Sequence, residues 1–375
     1  MFRDWAWRLR SGLRKHMPRK AKTRTRTSRG RFRRPDKVGL TESLAELRMA
    51  RHYGWDLDSL RGKLPEARAA DSYRLLNPHS LLFQLRPRID LVRVPCWRRF
   101  GNAVQQLTNA FRIAEALGVG TVQFVQLHPF FEGGRVGDLE LIWGDNLSLL
   151  PTLEGEFFNV MAFCLKSSAP EMARVFTERV RPLLVARLRE SDRRITQDDL
   201  VLHFRAGDVS RQTPPPSPGY GQPPLSYYLA AVEREQPARV WLVFEDRGNP
   251  CIDAAEAALR KRGVEVLLQS GTLEEDLRLL LSAPRIVAGR GTLARMVAHL
   301  SERLRKAYFF GKTKNVEVLR ELGVEVILGR DADGEFRTKL LNNNWIGSAE
   351  QRALMISYPA DKLAFKDRPQ ASRIG

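Results

Sequence analysis

The chain of 375 residues is basic, with 62 Lys and Arg against 43 Asp and Glu, and 43% of its residues are hydrophobic. This length and apolar content suffice for the cores of two domains or one large α/β unit, which excludes a wholly disordered protein. The three cysteines lack C-x-x-C spacing and the six histidines lack H-E-x-x-H spacing. The chain is therefore expected to work in a reducing compartment, and no local motif predicts a metal site.

Most of the excess charge lies in residues 1–37, which hold 15 Lys or Arg and two acidic residues, or +13 of the formal net charge of +19. Residues 1–17 place Phe2, Trp5, Leu9 and Leu13 at near-helical spacing among basic residues. That pattern is typical of a helix lying on a membrane surface. The following RKAKTRTRTSRGRFRRP stretch has almost no apolar content and predicts disorder.

A basic segment with interleaved tryptophans can bind anionic lipid or nucleic acid, because lipid headgroups and nucleic acids both carry phosphates. The alternative is that the segment remains solvated. The tryptophans favour the anionic membrane surface over nucleic acid. No run of about 18 apolar residues occurs, so a membrane-spanning helix is not predicted. We therefore expect a cytoplasmic protein, peripheral at the inner face of a membrane.

In chain order, residues 1–39 are the predicted basic tail and residues 40–80 a helical lead-in. Residues 81–195 predict an N-terminal Rossmann-like domain, because strands alternate with helices there. Its elements are strands at 90–95, 121–125 and 139–143, a helix at 102–117 ended by Gly118, and helices within 170–189.

The second half repeats this alternation after the charged break ESDRRITQDD, which is the predicted domain boundary. Its predicted strands are 200–204, 239–244, 265–268, 285–288 and 307–310, and its predicted helices are 226–235, 252–262, 273–282 and 292–304. This predicts a parallel, doubly wound C-terminal Rossmann-like domain over 196–330, followed by a C-terminal extension at 331–375. Two such domains predict an α/β fold with a cleft, and ligands expected off the carboxyl ends of its strands.

Polar residues stand at the end of an apolar strand in LVLHFRAGDVS. His203 and Arg205 lie on one side of the strand by period-two alternation, and the chain then turns at Gly207 into Asp208. The planar guanidinium of Arg205 matches phosphate oxygens, which predicts an anion clamp. The alternative is a surface ion pair between Arg205 and Asp208.

Other strand ends offer groups of the same kind. In AGRGTLARM, Gly291 permits close approach of the backbone, and Thr292 and Leu293 begin a helix whose N–H groups favour phosphate. WRRFGN supplies Arg98, Arg99, Gly101 and Asn102 at a strand-to-helix turn of the first domain that would face the cleft from the other side, unless it is only a helix cap. Two carboxylates, Asp246 and Asp276, either read a base or ribose or serve as caps and ion-pair partners.

These segments together resemble the fucosyltransferase-like glycosyltransferases, the superfamily of α1,2-, α1,6- and protein O-fucosyltransferases. Its H-x-R-R-x-D motif is filled by His203, Arg205 and Asp208, with Ala206 in place of the second Arg, which gives H-x-R-x-G-D. RFGN at 99–102, FEDR and GRGTLA follow in family order, and the resemblance spans about residues 85–330.

The resemblance implies a GT-B-like fold and an inverting, metal-independent transfer from a nucleoside diphosphate sugar, with GDP-fucose as the leading donor and no cofactor. Arg205 would then hold the β-phosphate, with Thr292 and the amide of Leu293 on the same phosphate. Asn102 would approach from the facing domain, and Asp276 would recognise the base. Donor-binding positions are completed by Arg99, Gly101, Asp246 and Gly291.

The general base stays open among Asp208, His203 and Glu132. The acceptor is expected to be a glycan or lipid-linked glycan, with a protein or free polysaccharide as alternatives. Rival hypotheses are a glycosyltransferase with another nucleotide-sugar donor, a non-catalytic nucleotide- or carbohydrate-binding protein, and, from charge alone, a nucleic-acid-binding protein.

Overall fold

The computed structural model describes residues 73–76, 89–144, 150–158, 168–210, 218–311 and 316–367. The basic tail and most of the predicted helical lead-in lie outside these ranges. Four residues of the lead-in are described, and they form a strand, β1 (Tyr73–Leu76), that pairs antiparallel with a strand of the first sheet. At these four residues tertiary pairing overrides the predicted helix, and the rest of the predicted lead-in lies outside the described residues.

The first half forms a six-stranded sheet in the order β1-β6-β2-β3-β5-β4. Its strands are β2 (Leu91–Val94), β3 (Thr121–Phe124), β4 (Gly134–Val136), β5 (Leu139–Trp143) and β6 (Thr152–Gly155). The four central strands β6, β2, β3 and β5 are parallel, and both edge strands are antiparallel. The order reverses at β2, because β3 lies on one side of it and β6 on the other.

Helix α1 (Phe100–Leu117) connects β2 to β3 and ends where the sequence predicts. Gly118 takes a left-handed conformation with φ 65°, and its N–H bonds the last carbonyls of the helix. Glycine adopts this conformation with little steric cost, which accounts for the sharp stop.

The helical region predicted at 170–189 is more irregular than its periodicity suggests. It consists of α2 (Ala169–Arg174), a π-helical turn (Val175–Val180), a 3₁₀ turn (Arg181–Leu183) and α3 (Ala186–Arg189). Pro182 stands within the 3₁₀ turn. A continuous helix is broken there because proline has no N–H to donate and its ring clashes with the preceding turn.

The second half forms a seven-stranded sheet in the order β13-β12-β11-β10-β7-β8-β9. Its strands are β7 (Asp199–Phe204), β8 (Arg239–Phe244), β9 (Glu265–Gln269), β10 (Arg285–Ala288), β11 (Lys306–Phe310), β12 (Glu325–Asp331) and β13 (Leu363–Asp367). All neighbouring pairs from β9 to β12 are parallel. The order therefore reverses between β7 and β10, as in a doubly wound sheet.

The helices of this half are α4 (Leu225–Glu235), α5 (Cys251–Lys261), α6 (Leu273–Ser282), α7 (Leu293–Leu300), α8 (Val316–Glu321) and α9 (Ala349–Ser357). Helix α7 ends before residue 304 because Ser301 is extended, with φ −68° and ψ 135°. Residues beyond 330 belong to this half: β13 pairs with β12, and Trp345 is 1% exposed in the apolar cluster that also holds Phe204.

The described halves share one apolar cluster. It joins Val92 and Phe111 of the first half to Val201, Leu280 and Val297 of the second. Burial of apolar surface is the main favourable term in such packing, so this interface is a core and not a wetted contact. The sequence-based prediction of two α/β sheets is confirmed, and the starts of α1 and α7 meet across this interface.

Candidate functional site

The candidate site lies at the carboxyl ends of β7 and β10, where the order of the second sheet reverses. The two strands are hydrogen-bonded neighbours, and their ladder is prolonged by Gly289, whose N–H donates to the His203 carbonyl over 2.9 Å. In an open α/β sheet the connections from such a point diverge to opposite faces and leave a crevice. Arg205 follows one strand, and the 289–292 turn follows the other.

The guanidinium of Arg205 lies directly against Gly291. A Cβ at position 291 would stand 2.6 Å from Arg205 Nη1, and the backbone there has φ 148°. The positive φ favours glycine, and a Cβ would displace the Arg205 guanidinium from its position against this turn. On another side the guanidinium lies 4.9 Å from the ring centroid of Tyr220. The Arg205 side chain is 18% exposed, so it is held in place and still reachable.

Two helix N-termini converge beside Arg205. A Cβ on Gly101, in the first turn of α1, would lie 2.7 Å from the carbonyl carbon of Thr292 and 2.8 Å from the N atom of Leu293. The N–H of Met296 bonds the Thr292 carbonyl, so the amides of residues 293–295 are the donors that a helix start leaves without intrahelical partners. The positive ends of both helix dipoles therefore favour an anion at this place.

An ion-pair chain links the two halves across the site. Arg99 Nη1, at the start of α1, lies 3.1 Å from Asp208 Oδ2, and Arg205 Nη2 lies 3.4 Å from Asp208 Oδ1. Asp208 is thus the counter-ion of both arginines. Asn102 follows in the first turn of α1, where its N–H bonds the Arg99 carbonyl over 2.8 Å.

His203 is buried directly before Arg205 on β7. Burial, followed by the charge of Arg205, lowers the pKa of His203 to about 4. Its Nδ1 has no hydrogen-bond partner among the described residues. The imidazole of His203 is therefore neutral near pH 7 and carries a single N–H proton.

The carboxylates Asp246 and Asp276 have backbone or amide partners. Asp246 Oδ1 accepts from the N–H groups of Gly207 (3.2 Å) and Gly248 (2.8 Å), which ties together the turns after β7 and β8. Asp276 Oδ1 accepts from Gln269 Nε2 over 3.1 Å at the start of α6. Burial raises the pKa of Asp276, against the lowering effect of its hydrogen bonds.

The predicted residues thus fall into two groups. Those brought together around one point are Arg99, Gly101, Asn102, Arg205, Asp208, Gly291, Thr292 and Leu293. Asp246 braces the turn behind them, and Asp276 stands near Glu245, whose carboxylate contributes to its raised pKa. Glu132 is exposed, and its N–H bonds the Leu183 carbonyl.

Glu156, the ion-pair partner of Arg98, was not predicted from the sequence. Arg98 Nη2 lies 2.6 Å from Glu156 Oε1, where the order of the first sheet reverses between β2 and β6. β6 was not among the predicted strands, so its position beside β2 could not be predicted. Ala206, where the family motif has a second Arg, is 2% exposed and packs into the apolar cluster of the second half.

Among the described residues no group of three or more His, Cys, Asp and Glu is arranged to hold a metal ion. No described helix combines the length and apolar character needed to cross a bilayer.

Comparison with solved structures gives partial similarity to nucleotide-sugar enzymes. POFUT1 in complex with GDP shares 13% identity with a TM-score of 0.40, over 59% of this chain and 98% of that one. NodZ α1,6-fucosyltransferase co-crystallised with GDP shares 12% identity with a TM-score of 0.39, over 75% and 99%. The E. coli heptosyltransferase WaaC with ADP shares 11% identity with a TM-score of 0.32, over 70% and 97%.

No family model and no curated protein matches the chain. At these TM-scores the similarity supports no argument about this chain. The fold is therefore described from the chain's own strand order, and the site from the groups that surround Arg205.

Proposed function

We propose that this chain is a glycosyltransferase that binds a nucleoside diphosphate sugar, with GDP-fucose as the leading donor. One observation carries the proposal: Arg205 and the starts of α1 and α7 converge where the second sheet reverses its strand order. A guanidinium and two positive helix ends suit a diphosphate better than a neutral ligand. The nearby carboxylates Asp276 and Glu245 would accept hydrogen bonds from a base or ribose.

The chemistry would be a metal-independent displacement with inversion. An acceptor hydroxyl attacks the anomeric carbon, the bond from that carbon to the diphosphate oxygen breaks, and the bonding electrons leave with the diphosphate. Arg205 and the amide of Leu293 would stabilise the negative charge that develops there, in a site partly shielded from water. Fixed donors of this kind need no rearrangement during the reaction.

The hydroxyl proton must pass to a base. Asp208 is the better placed of the predicted candidates, because it stands between Arg99 and Arg205 and is 40% exposed. His203 is buried with a low pKa, which makes it a weak base and supports a structural role. Glu132 is exposed, and the hydrogen bond described for it is that of its backbone N–H to the Leu183 carbonyl.

The acceptor would be a glycan or lipid-linked glycan, and residues 1–37 would hold the enzyme on an anionic membrane surface. The charge of this segment and its interleaved tryptophans support that role. A variant lacking residues 1–37 should still bind GDP but should no longer sediment with vesicles that contain phosphatidylserine. Vesicle binding unchanged by the deletion would contradict the role given to the segment.

The donor proposal is tested by titrating the purified chain with GDP, UDP and ADP and by assaying GDP-fucose turnover. Arg205→Ala should lower the rate by about 10²–10³, the loss expected when one fixed donor to a developing charge is removed. The matched control is Arg262→Ala, because Arg262 forms an exposed ion pair with Glu233 on the outer surface. Turnover of Arg205→Ala within a few-fold of wild type would refute the site assignment.

The same titration separates the alternatives. Preference for UDP or ADP would indicate the same architecture with another nucleotide-sugar donor. Tight GDP binding with no hydrolysis or transfer would favour a non-catalytic binding protein, in agreement with Ala206 standing at a motif position that the family fills with Arg.

A further inference from the structure

Residues 331–367 contact the turns that surround Arg205. This segment follows the last parallel strand of the second sheet and contains α9 and β13. Side chains from it donate hydrogen bonds to main-chain carbonyls in the turns after β7 and β8. Its own backbone also bonds the 218–220 turn, which carries Tyr220.

Trp345 fixes the turn after β7. Its indole Nε1–H donates to the Val209 carbonyl over 2.9 Å, and the side chain is 1% exposed. The Trp345 N–H donates to the Pro218 carbonyl over 3.1 Å, two residues before Tyr220. One residue therefore holds both the turn that contains Asp208 and the turn whose tyrosine ring lies against Arg205.

Arg352, on α9, joins the turns after β7 and β8. Its Nη1 donates to the Ser210 carbonyl over 3.3 Å, and its Nη2 donates to the Gly248 carbonyl over 2.7 Å. The N–H of Gly248 in turn bonds Asp246 Oδ1, which also accepts from the N–H of Gly207. The backbone between Arg205 and Ser210 is thus held from behind at successive points.

The position of Trp345 is itself fixed by the segment. Gln351 Oε1 accepts from the N–H groups of Ile346 (2.9 Å) and Gly347 (3.0 Å), and Gln351 Nε2 donates to the Asn344 carbonyl over 2.6 Å. These bonds close the loop that carries Trp345 onto the first turn of α9. The loop therefore moves with the helix that carries Arg352.

We propose that Trp345 and Arg352 are positioning residues of the anion site, which set the orientation of Arg205 and Asp208 without touching the ligand. The inference rests on the proposed function, since it concerns the same diphosphate site. A guanidinium grips a diphosphate only while its geometry is kept, and the supporting hydrogen bonds of such a site decide how well it is kept.

The test is the affinity for GDP of Trp345→Phe, Arg352→Ala and Arg352→Lys. Phenylalanine keeps an aromatic ring in the cluster but is smaller than indole, so it removes the N–H donor together with part of the buried volume, whereas the Arg352 variants test the supporting hydrogen bonds without changing the buried aromatic residue. We expect the dissociation constant of GDP to rise about three- to tenfold for Trp345→Phe and Arg352→Ala, since one supporting hydrogen bond contributes about this factor. Arg352→Lys should fall between Arg352→Ala and wild type, because an ammonium can still donate to one of the two carbonyls.

The matched control is Tyr358→Phe. Tyr358 is a buried aromatic residue of the same segment, and its hydroxyl donates to Asp333 Oδ1 over 3.0 Å, outside the turns around Arg205. This variant loses one side-chain hydrogen bond of the same segment, so it should lower the melting temperature and bind GDP as wild type does. If Trp345→Phe and Arg352→Ala also bind GDP as wild type does, with only the melting temperature lowered, the inference is overturned.

Pyrophosphate is the second probe. If wild type binds pyrophosphate but not GDP, the nucleotide part of the proposed function fails, and the positioning role is read from pyrophosphate affinity in the same variants. If wild type binds neither, both the proposed function and this inference fall. If Trp345→Phe does not fold, the Arg352 series decides.

Discussion

Substitution of Gly101 by Ala perturbs the closest approach between the two helix starts. The added methyl carbon would stand 2.7 Å from the Thr292 carbonyl carbon, 2.8 Å from the Leu293 N atom and 2.9 Å from Thr292 Oγ1. Carbon atoms in favourable contact are about 3.5–4.0 Å apart, so the backbones must separate by about 0.8 Å or more. A rotamer change cannot relieve this overlap, because two of the three atoms belong to the main chain.

Two terms decide the effect on stability. Overpacking a close contact costs about 1–3 kcal/mol, and replacing glycine by alanine in a helix returns up to about 1 kcal/mol. With about 1 kcal/mol returned, the net loss is about 0–2 kcal/mol, which should lower Tm by at most a few degrees in a chain of this size. Function should suffer more, because a displacement near 1 Å can cost about 10² in rate.

The assay compares GDP affinity by calorimetry, transfer rate and Tm for Gly101→Ala and Gly120→Ala. Gly120 is the control, since a Cβ there would meet only the Asp138 carbonyl oxygen, at an ordinary 3.7 Å. We expect Gly101→Ala to lose tenfold or more in affinity or rate, and Gly120→Ala to keep both. Unchanged Tm, affinity and rate in Gly101→Ala would refute the contact between α1 and α7 on which the site depends.

Asp208→Asn removes the counter-ion that Arg99 and Arg205 share, so GDP should bind about two- to tenfold tighter, since each exposed ion pair contributes about 0.2–1 kcal/mol. The transfer rate should fall at the same time if Asp208 accepts the proton. Calorimetry measures the GDP affinity and initial rates measure transfer. Loss of both affinity and rate would contradict the idea that Asp208 competes with the diphosphate for the two arginines. The pKa values of His128 and His203 are both lowered to about 4, chiefly by burial. Histidine in the unfolded chain has a pKa near 6.5, so the unfolded chain binds protons between pH 6.5 and 4 that the folded chain does not bind. The stabilisation is therefore complete above pH 6.5. As the pH drops, the free energy of unfolding falls by up to about 1.4 kcal/mol per pH unit for each histidine. Urea unfolding at pH 7 and pH 5 should show this loss, and His128→Gln should reduce it; an equal pH dependence in both proteins would rule His128 out as a cause.

The meeting of Arg205 with the turn at Gly291 could be predicted because only local rules were needed. Alternation along β7 placed Arg205 beyond an apolar strand, and parallel neighbours bring their carboxyl ends to one edge. The glycines at 289 and 291 marked a close approach of backbone. What the sequence could not supply was the partner of each charge: the contact of Arg99 with Asp208 joins residues of different halves and has no local pattern.

The contributions of the C-terminal segment were missed for the same reason. Trp345 and Val209 are separated by 136 residues, and no periodicity connects them. β13 is a five-residue antiparallel edge strand, which is too short for its pattern to stand out beside the charged residues that precede it. The helices predicted within 170–189 are present, but the break between them at Pro182, where proline has no N–H to donate, was not predicted.

The apolar cluster shared by the two halves has a consequence for engineering. Cutting the chain at the charged break before β7 and joining the second half to a relative's first half would leave Val201, Leu280 and Val297 facing a surface that was not shaped for them. Such chimeras should aggregate, because a contiguous exposed apolar surface promotes association between molecules. Ligand preference at the proposed site would therefore have to be altered by point changes in the turns, since the two halves are not interchangeable modules.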